Sequence, residues 1–311
     1  MSTTELHRVV GGRYLLERDL GPSSVGRAFL ARDRQHDRLV HLRLVDDQSG
    51  HDVVAFARLG REIATSFLVV HPNTVEVIDY GETPRERFLV SEHLDAITLR
   101  ELLRVEGPQP AARVARIGLQ VASALAAAHQ EGIVHRGLAP ETVLLVRDET
   151  GDVAKVRDFG LAKIDDGQDV TRTGVRVGHA PYLPPEYLTA GQFTPKGDLY
   201  ALGCLLAELL VGREAAAGEG IVLAAPLTPP ALLAVIDALR APEPTDRPGI
   251  HAVIDRLHSI DEASSPRLAL PTAVTSRRAS PLLFLFGALL FGGILALALL
   301  TAALVLSLPT S

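Results

Sequence analysis

Asp158 stands ahead of Phe159 and Gly160. Upstream, the stretch His135-Arg136-Gly137-Leu138-Ala139-Pro140-Glu141-Thr142 brings together an imidazole, a guanidinium, a carboxylate and a hydroxyl. A carboxylate such as Asp158 can hold a hard divalent cation through oxygen, although structural carboxylates are common. Gly21 and Gly26 bracket a short turn between two β-type runs. Glycine at such a turn lets the backbone approach a phosphate closely. Asp148 and Asp152 carry further carboxylates beside a β-turn signal. The single thiol, Cys204, lies in an apolar helical run; it reads as core packing in a reducing compartment and makes no internal disulfide. Lysine occurs only at Lys155, Lys163 and Lys196, so residues 1 to 154 contain none and arginine does the other basic work.

The elements that must position these groups fall into two sets. Residues 13 to 90 alternate short β-type runs (Tyr14–Leu20, Arg27–Arg32, Leu39–Val45, Thr74–Tyr80, Arg87–Ser91) with one helical stretch, Val53 to Leu68. Residues 98 to 258 are mainly helical: Leu99–Val105, Ala111–Glu131, Leu199–Leu210, Pro230–Leu239 and Ile250–Leu257. Short strands and loops interrupt them around residues 132 to 190. A small β-rich part ahead of a larger helical part implies an α+β fold of two lobes. The apolar fraction of 47% supplies a sizeable core, and the net charge of −6 is spread among interspersed acids and bases. No basic stripe marks a nucleic-acid partner.

The last part of the chain has a different character. From Pro281 to Leu308 there is no charged residue. A helix over Leu282 to Leu306 would be roughly 37 Å long at 1.5 Å per residue, enough to cross a hydrocarbon core of ~30 Å with some tilt. Arg277 and Arg278 precede the run and no charge follows it, which places the larger part of the chain on the cytoplasmic side of an inner membrane, single-pass. Ala288, Gly292 and Ala296 form a small-xxx-small face able to pair two such helices into a homodimer. Residues 259 to 280 are rich in Ser, Ala, Pro and Thr without apolar period and read as a flexible tether. Met1 to Tyr14 show no signal peptide. The expected layout is a tail to residue 11, a globular domain over 12 to 258, the tether, the span over 281 to 308 and a short tail over 309 to 311.

In order and spacing, the short motifs resemble the protein-kinase signature set, and most closely the bacterial membrane-attached serine/threonine kinases. The resemblance covers roughly residues 12 to 258, with the N-lobe at about 12 to 91 and the C-lobe at about 95 to 258. Leu20-Gly21 through Val25-Gly26, then Phe29-Leu30-Ala31-Arg32-Asp33, resembles the glycine-rich loop and its second strand. Val40-His41-Leu42-Arg43 falls at the Val-Ala-Ile-Lys strand, and Glu62, nine residues before His71-Pro72-Asn73, falls at the regulatory-helix glutamate. Leu89 to Leu94, with Glu92, resembles the hinge. His135 to Thr142 resembles the catalytic loop, and Asp158-Phe159-Gly160 is intact. Pro184-Pro185-Glu186, Asp198 to Gly203 and Arg247-Pro248 match the later signatures. Each motif alone is weak; the ordered set is specific.

The resemblance implies phosphoryl transfer by positioning and charge neutralisation, and several parts of that machinery are missing. Gly137 replaces the aspartate that takes the substrate proton, a group worth roughly 10²- to 10⁴-fold. Ala139 replaces the lysine that steadies the transferred phosphate, and Thr142 replaces an asparagine metal ligand. Arg43 stands for the phosphate-binding lysine, with a planar fork in place of a compact ammonium, and is expected to pair with Glu62. Ser23 replaces the middle glycine and Pro22 has no N–H to donate. His41 stands where alanine packs on adenine, and is expected to fill that space as a packed core histidine beside Ala28. With Glu92, Leu94 and Leu144 these positions form a vestigial nucleotide site, in which Asp158 is the sole metal ligand should a nucleotide bind.

The same resemblance assigns structural roles to residues that persist: His135 stacked on Phe159, Arg136, Gly160, Asp198 bracing the catalytic-loop backbone, and Glu186 paired with Arg247. Thr171 and Thr173 are candidate phosphosites for an Arg136 partner. Between Arg213 and Pro229 the chain is short for the helix used in substrate docking. The expectation is a membrane-tethered pseudokinase without cofactor, whose protein partner is an active kinase or its substrate. Two readings stand beside it. One is an active kinase with displaced chemistry, with Asp148 or Asp152 as base. The other is a nucleotide- or ligand-binding switch. ATP and Mg²⁺ enter only under these two.

Overall fold

A computed structural model describes residues 6–23, 26–46, 67–82, 86–148, 151–159, 180–213 and 228–264. The chain divides into a unit from Met1 to Ser265 and a second from Pro266 to Ser311. The second unit, with the expected span, lies outside the described residues. Among the described residues no helix is long and apolar enough to cross a membrane.

Seven strands open the described chain: β1 (Val9–Val10), β2 (Tyr14–Pro22), β3 (Arg27–Asp33), β4 (Arg38–Asp46), β5 (Val77–Glu82), β6 (Glu86–Glu92) and β7 (Ala96–Thr98). The first six form one antiparallel sheet in the order β1-β2-β3-β4-β6-β5. Tyr14, Leu16, Phe29, Ala31, Val40, Leu42, Leu44, Phe88 and Val90 point to one face and make a core of their own. In β2 these residues alternate with more exposed ones, the period-two signal of a half-buried strand, whereas β3 and β6 also bury the intervening Leu30 and Leu89. β1 had no counterpart in the sequence reading. The helix expected over Val53 to Leu68 falls outside the described residues up to position 66, and Phe67 and Leu68 lie in a turn.

The second lobe contains α1 (Leu99–Glu106), α2 (Ala111–Gln130), the hairpin β8 (Val143–Asp148) and β9 (Gly151–Val156), then α3 (Pro185–Ala190), α4 (Pro195–Val211), α5 (Pro230–Leu239) and α6 (Ile250–Ser264). Thr98 and Glu101 cap α1 reciprocally, a pairing that satisfies two orphan N–H groups. α4 is buried on nearly every face, from Gly197 to Leu210, and a helix apolar all round belongs at the centre of a lobe. Gly118 of α2 lets that helix approach α4: a Cβ there would meet Leu206 Cδ2 at 2.9 Å. These helices share a second core, separate from that of the sheet.

α6 continues through Ser264, so the first residues of the expected tether are helical. Ile260 is buried in the C-lobe core, and Arg116 Nε reaches Asp261 Oδ1 at 3.1 Å. Both contacts carry the helix past Leu257, where the sequence pattern had weakened.

Candidate functional site

The frame under the catalytic loop is fully paired. Asp198, at the N-terminal end of α4, is 0% exposed. Its Oδ2 accepts from the His135 N–H at 2.9 Å and faces His129 Nε2 at 2.8 Å, while Oδ1 accepts from the Arg136 N–H at 2.8 Å. That grip holds Arg136 at φ 63°, in the left-handed region. His135 Nε2 donates to the Arg157 carbonyl at 2.9 Å, and its Nδ1 accepts from the Gly137 N–H at 3.2 Å. Both nitrogens are thereby used in the neutral ring, and burial holds its pKa below the ordinary value. The ring meets Phe159 edge-on at 4.8 Å.

Arg247 locks the later segment. Its two Nη atoms hold Glu186 bidentately at 2.6 and 2.8 Å. Its remaining donors go to the carbonyls of Ala241, Lys196 and Pro242 at 2.8, 2.9 and 2.9 Å. All five N–H groups of the guanidinium are spent, which is what a buried arginine requires.

The catalytic loop itself carries little chemistry. Gly137 has no side chain and no positive φ; among the described residues a Cβ there would meet only His135 Nδ1, at 4.0 Å. Ala139 is wholly buried. The Thr142 hydroxyl accepts from the Ala139 N–H at 3.1 Å and donates to the Ala139 carbonyl at 3.0 Å. It is turned into its own loop. Asp152, one of the alternative bases, is bound by Arg113 Nε at 2.5 Å and lies in the β8–β9 hairpin.

Above the loop lies a cleft of about 500 Å³ lined from both lobes, by Ala28, His41, Arg43, Ser91, Leu94, Leu144 and Asp158 among others. Arg43 Nη1 meets Asp158 Oδ1 at 2.9 Å, each side chain only 9% exposed. Burial alone would raise the Asp158 pKa; Arg43 first, then Arg157, hold it below the carboxylate range instead. Glu62, the partner expected for Arg43, lies outside the described residues, as do Gly160, Thr171, Thr173 and the segment over 214 to 227. His41 lies opposite Ser91 across β4 and β6. Burial lowers its pKa to about 4, so the ring is neutral at physiological pH. Small Ala28 and Ser91 make room for the imidazole, and the cleft stays open beside it.

Three positions of the glycine turn offer no free amide. The Gly21 N–H donates to Asp19 Oδ1 at 2.8 Å, Pro22 has none, and the Ser23 N–H donates to the Gly26 carbonyl at 3.0 Å. Gly26 is required by packing: at φ 69°, a Cβ would stand 2.3 Å from the Leu44 carbonyl oxygen. The hinge carboxylate Glu92 is held by Lys155 Nζ at 2.7 Å.

Two residues escaped the sequence reading. Arg157 lines the cleft, and its Nη2 donates to the Glu141 carbonyl at 3.2 Å. Arg100 on α1 binds Glu141 Oε1 at 2.7 Å, Tyr182 Oη at 3.0 Å and Glu208, and Tyr182 also donates to Glu208. Neither arginine falls in a signature motif; the arginine-rich composition gave no means of singling them out.

A six-stranded lobe above a helical lobe, with a hinge, a braced loop and a carboxylate facing one cleft, defines the two-lobed architecture of a protein kinase domain. The sequence matches the protein kinase domain family over residues 14–223, and the chain belongs to that family. It is 34% identical over 259 residues to serine/threonine-protein kinase PknD of Mycobacterium tuberculosis, covering 82% of this chain and 37% of that protein. It is 35% identical over 213 residues to serine/threonine-protein kinase PrkC of Bacillus subtilis, covering 68% and 32%. The chain thus spans about a third of the length of these relatives. The crystal structure of the PknI kinase domain of M. tuberculosis superposes with a TM-score of 0.66 at 23% identity, covering 82% of this chain and 98% of that one.

Proposed function

We propose that this chain is a pseudokinase: a kinase fold that works as a scaffold or regulator in bacterial serine/threonine signalling and transfers no phosphate. The observation that carries this is the state of the catalytic loop. Gly137 supplies no base, and the Thr142 hydroxyl, the one group left that could replace the missing metal ligand, is spent on the Ala139 backbone. Asp158, the remaining metal-ligand candidate, is engaged by Arg43. In the same molecule Asp198 braces the loop backbone and Arg247 holds Glu186 bidentately.

The uncharged run over 281–308 anchors the domain to the inner membrane, with the kinase-like part in the cytoplasm. Tethering raises its local concentration for a protein partner there, an active kinase or that kinase's substrate. Alkaline extraction of membranes tests the anchor: recovery of the full-length chain in the soluble fraction rules it out.

The decisive test is ATP turnover and autophosphorylation by the full-length chain in detergent, followed with radiolabel beside a Gly137→Asp/Ala139→Lys/Thr142→Asn variant. Active kinases turn over at roughly 1–100 s⁻¹, so even activity ~10⁴-fold lower than that range is within reach. Silence of the wild type is the expected result. Incorporation by wild type that an Asp158→Ala control abolishes overturns the proposal.

A further inference from the structure

The geometry points to a metal-free binding mode: the cleft takes a phosphate-bearing ligand of nucleotide size, and Arg43 and Arg157 supply the charge that divalent cations supply elsewhere. This rests on the reading of the site as non-catalytic and adds a ligand class to it.

Consider first what a metal would meet. Asp158 Oδ1 is 2.9 Å from Arg43 Nη1, and Oδ2 is 3.8 Å from Arg157 Nε. A Mg²⁺ ion demands oxygen ligands at about 2.0–2.1 Å in octahedral array. A Mg²⁺ ion bound to either Asp158 oxygen would lie beside two guanidinium cations. Thr142 offers no help, since its hydroxyl is bonded within its loop.

Consider next what a phosphate would meet. Guanidinium groups suit phosphate oxygens through paired, charge-assisted hydrogen bonds. Arg157 is fixed by its bond to the Glu141 carbonyl, yet its Nε–H is buried and has no hydrogen-bond partner among the described residues. The Arg157 guanidinium lines the cleft, and a phosphate oxygen is the acceptor that matches its charge. The exposed Arg18 of β2 adds a third guanidinium to the lining. The other lining acids are already engaged: Glu92 by Lys155 at 2.7 Å, Glu101 by the Thr98 N–H and hydroxyl at 2.8 and 2.9 Å. His41 is neutral and adds no charge. The Gly21 and Ser23 amides are bonded internally and Pro22 has none, so these three positions offer a phosphate no backbone donor and the arginine side chains carry that role. The cleft of about 500 Å³ is of the size that holds small ligands.

Thermal melting of the full-length chain in EDTA separates the possibilities, with ATP, inorganic triphosphate and adenosine as probes. ATP at a hundredfold over its Kd should raise Tm by about 5 °C or more, inorganic triphosphate should also raise it, and adenosine should not. Excess Mg²⁺, by capturing the phosphates, should reduce the shift. Arg157→Gln should abolish the ATP shift, and Arg157→Lys should retain part of it. The inference is overturned by no shift with any probe, by an equal shift with adenosine, by a shift that needs Mg²⁺, or by an Arg157→Gln variant that folds and responds like wild type. Absence of binding with silent turnover defeats this inference alone; Mg²⁺-dependent turnover defeats the pseudokinase reading.

Discussion

Two regions that meet at the catalytic loop have been treated differently. Beneath the loop, Asp198 accepts three hydrogen-bond contacts, and Arg247 satisfies five donors. Above it, Gly137 is bare, Ala139 is buried, and Arg43 and Asp158 are bonded to each other. Every group in the lower region is costly to lose, because a buried polar atom without a partner forfeits its hydration with nothing in return. The groups missing from the upper region were costly to keep, because unpaired charges facing a cleft repel or demand a ligand.

The largest test of this contrast is Arg247→Met. It leaves the Glu186 carboxylate and three carbonyls without their donor, and removing one partner of a buried pair costs about 3–5 kcal/mol. At roughly 2–4 °C per kcal/mol for a domain of this size, the Tm should fall by about 6–20 °C. Differential scanning calorimetry reads this directly. A loss below about 1 kcal/mol, the worth of an exposed pair, would mean the lower region is no more constrained than the cleft.

A smaller effect is expected at His41. Its folded-state pKa of about 4 lies below the ordinary 6.5, so the unfolded chain takes up the proton first. Stability therefore falls as pH drops from about 6.5 towards 4. Allowing for its partial exposure, His41 should account for about 1–2 kcal/mol of the loss between about pH 7.5 and about pH 5. Urea unfolding at the two pH values, with wild type and His41→Ala, measures that share as the difference in slope. Equal losses in the two proteins would show that the ring is solvated and that the cleft is wider than its walls suggest.

The lower region was legible in the sequence because its motifs are short and contiguous with the elements they brace. Pro184-Pro185-Glu186 opens α3, Asp198 opens α4, and Arg247 precedes α6. Period-two and helical apolar patterns placed β2 to β6, α1, α2, α4 and α5 to within a few residues, whereas β1, β7 and α3 had no counterpart in the sequence reading. The missing catalytic groups were equally visible, since absence of a side chain is a fact of sequence. What the sequence concealed was the destination of the groups that remain. That Thr142 folds onto its own loop, that the Ser23 amide closes its own turn and that Arg43 reaches Asp158 depend on torsions and on contacts between the lobes. The same is true of Arg157, whose role comes from where β9 ends. The extension of α6 to Ser264 was hidden because Ile260 and Asp261 sit in a Ser- and Ala-rich stretch, and their partners are on α2 and in the core.

The smallest expected effect is the most pointed. Gly137→Asp places a carboxylate where the kinase family's pattern has its base, and the packing of the described residues offers no obstacle. The backbone there is not left-handed, and the nearest atom to a new Cβ is His135 Nδ1 at 4.0 Å, ordinary contact distance. The N–H that donates to His135 Nδ1 is unchanged by the substitution. Stability should shift by no more than about 0.5 kcal/mol, as at an unconstrained surface site, so Tm should move by ~2 °C or less. Ala139→Lys differs, because the methyl it replaces is wholly buried and an ammonium there must reach solvent or unpack the loop. If Gly137→Asp is tolerated, the base is absent because nothing in the fold calls for it, and the division between frame and cleft holds at single-residue resolution. If it unfolds the domain, the loop has been rebuilt around the glycine, and frame and cleft are one structure.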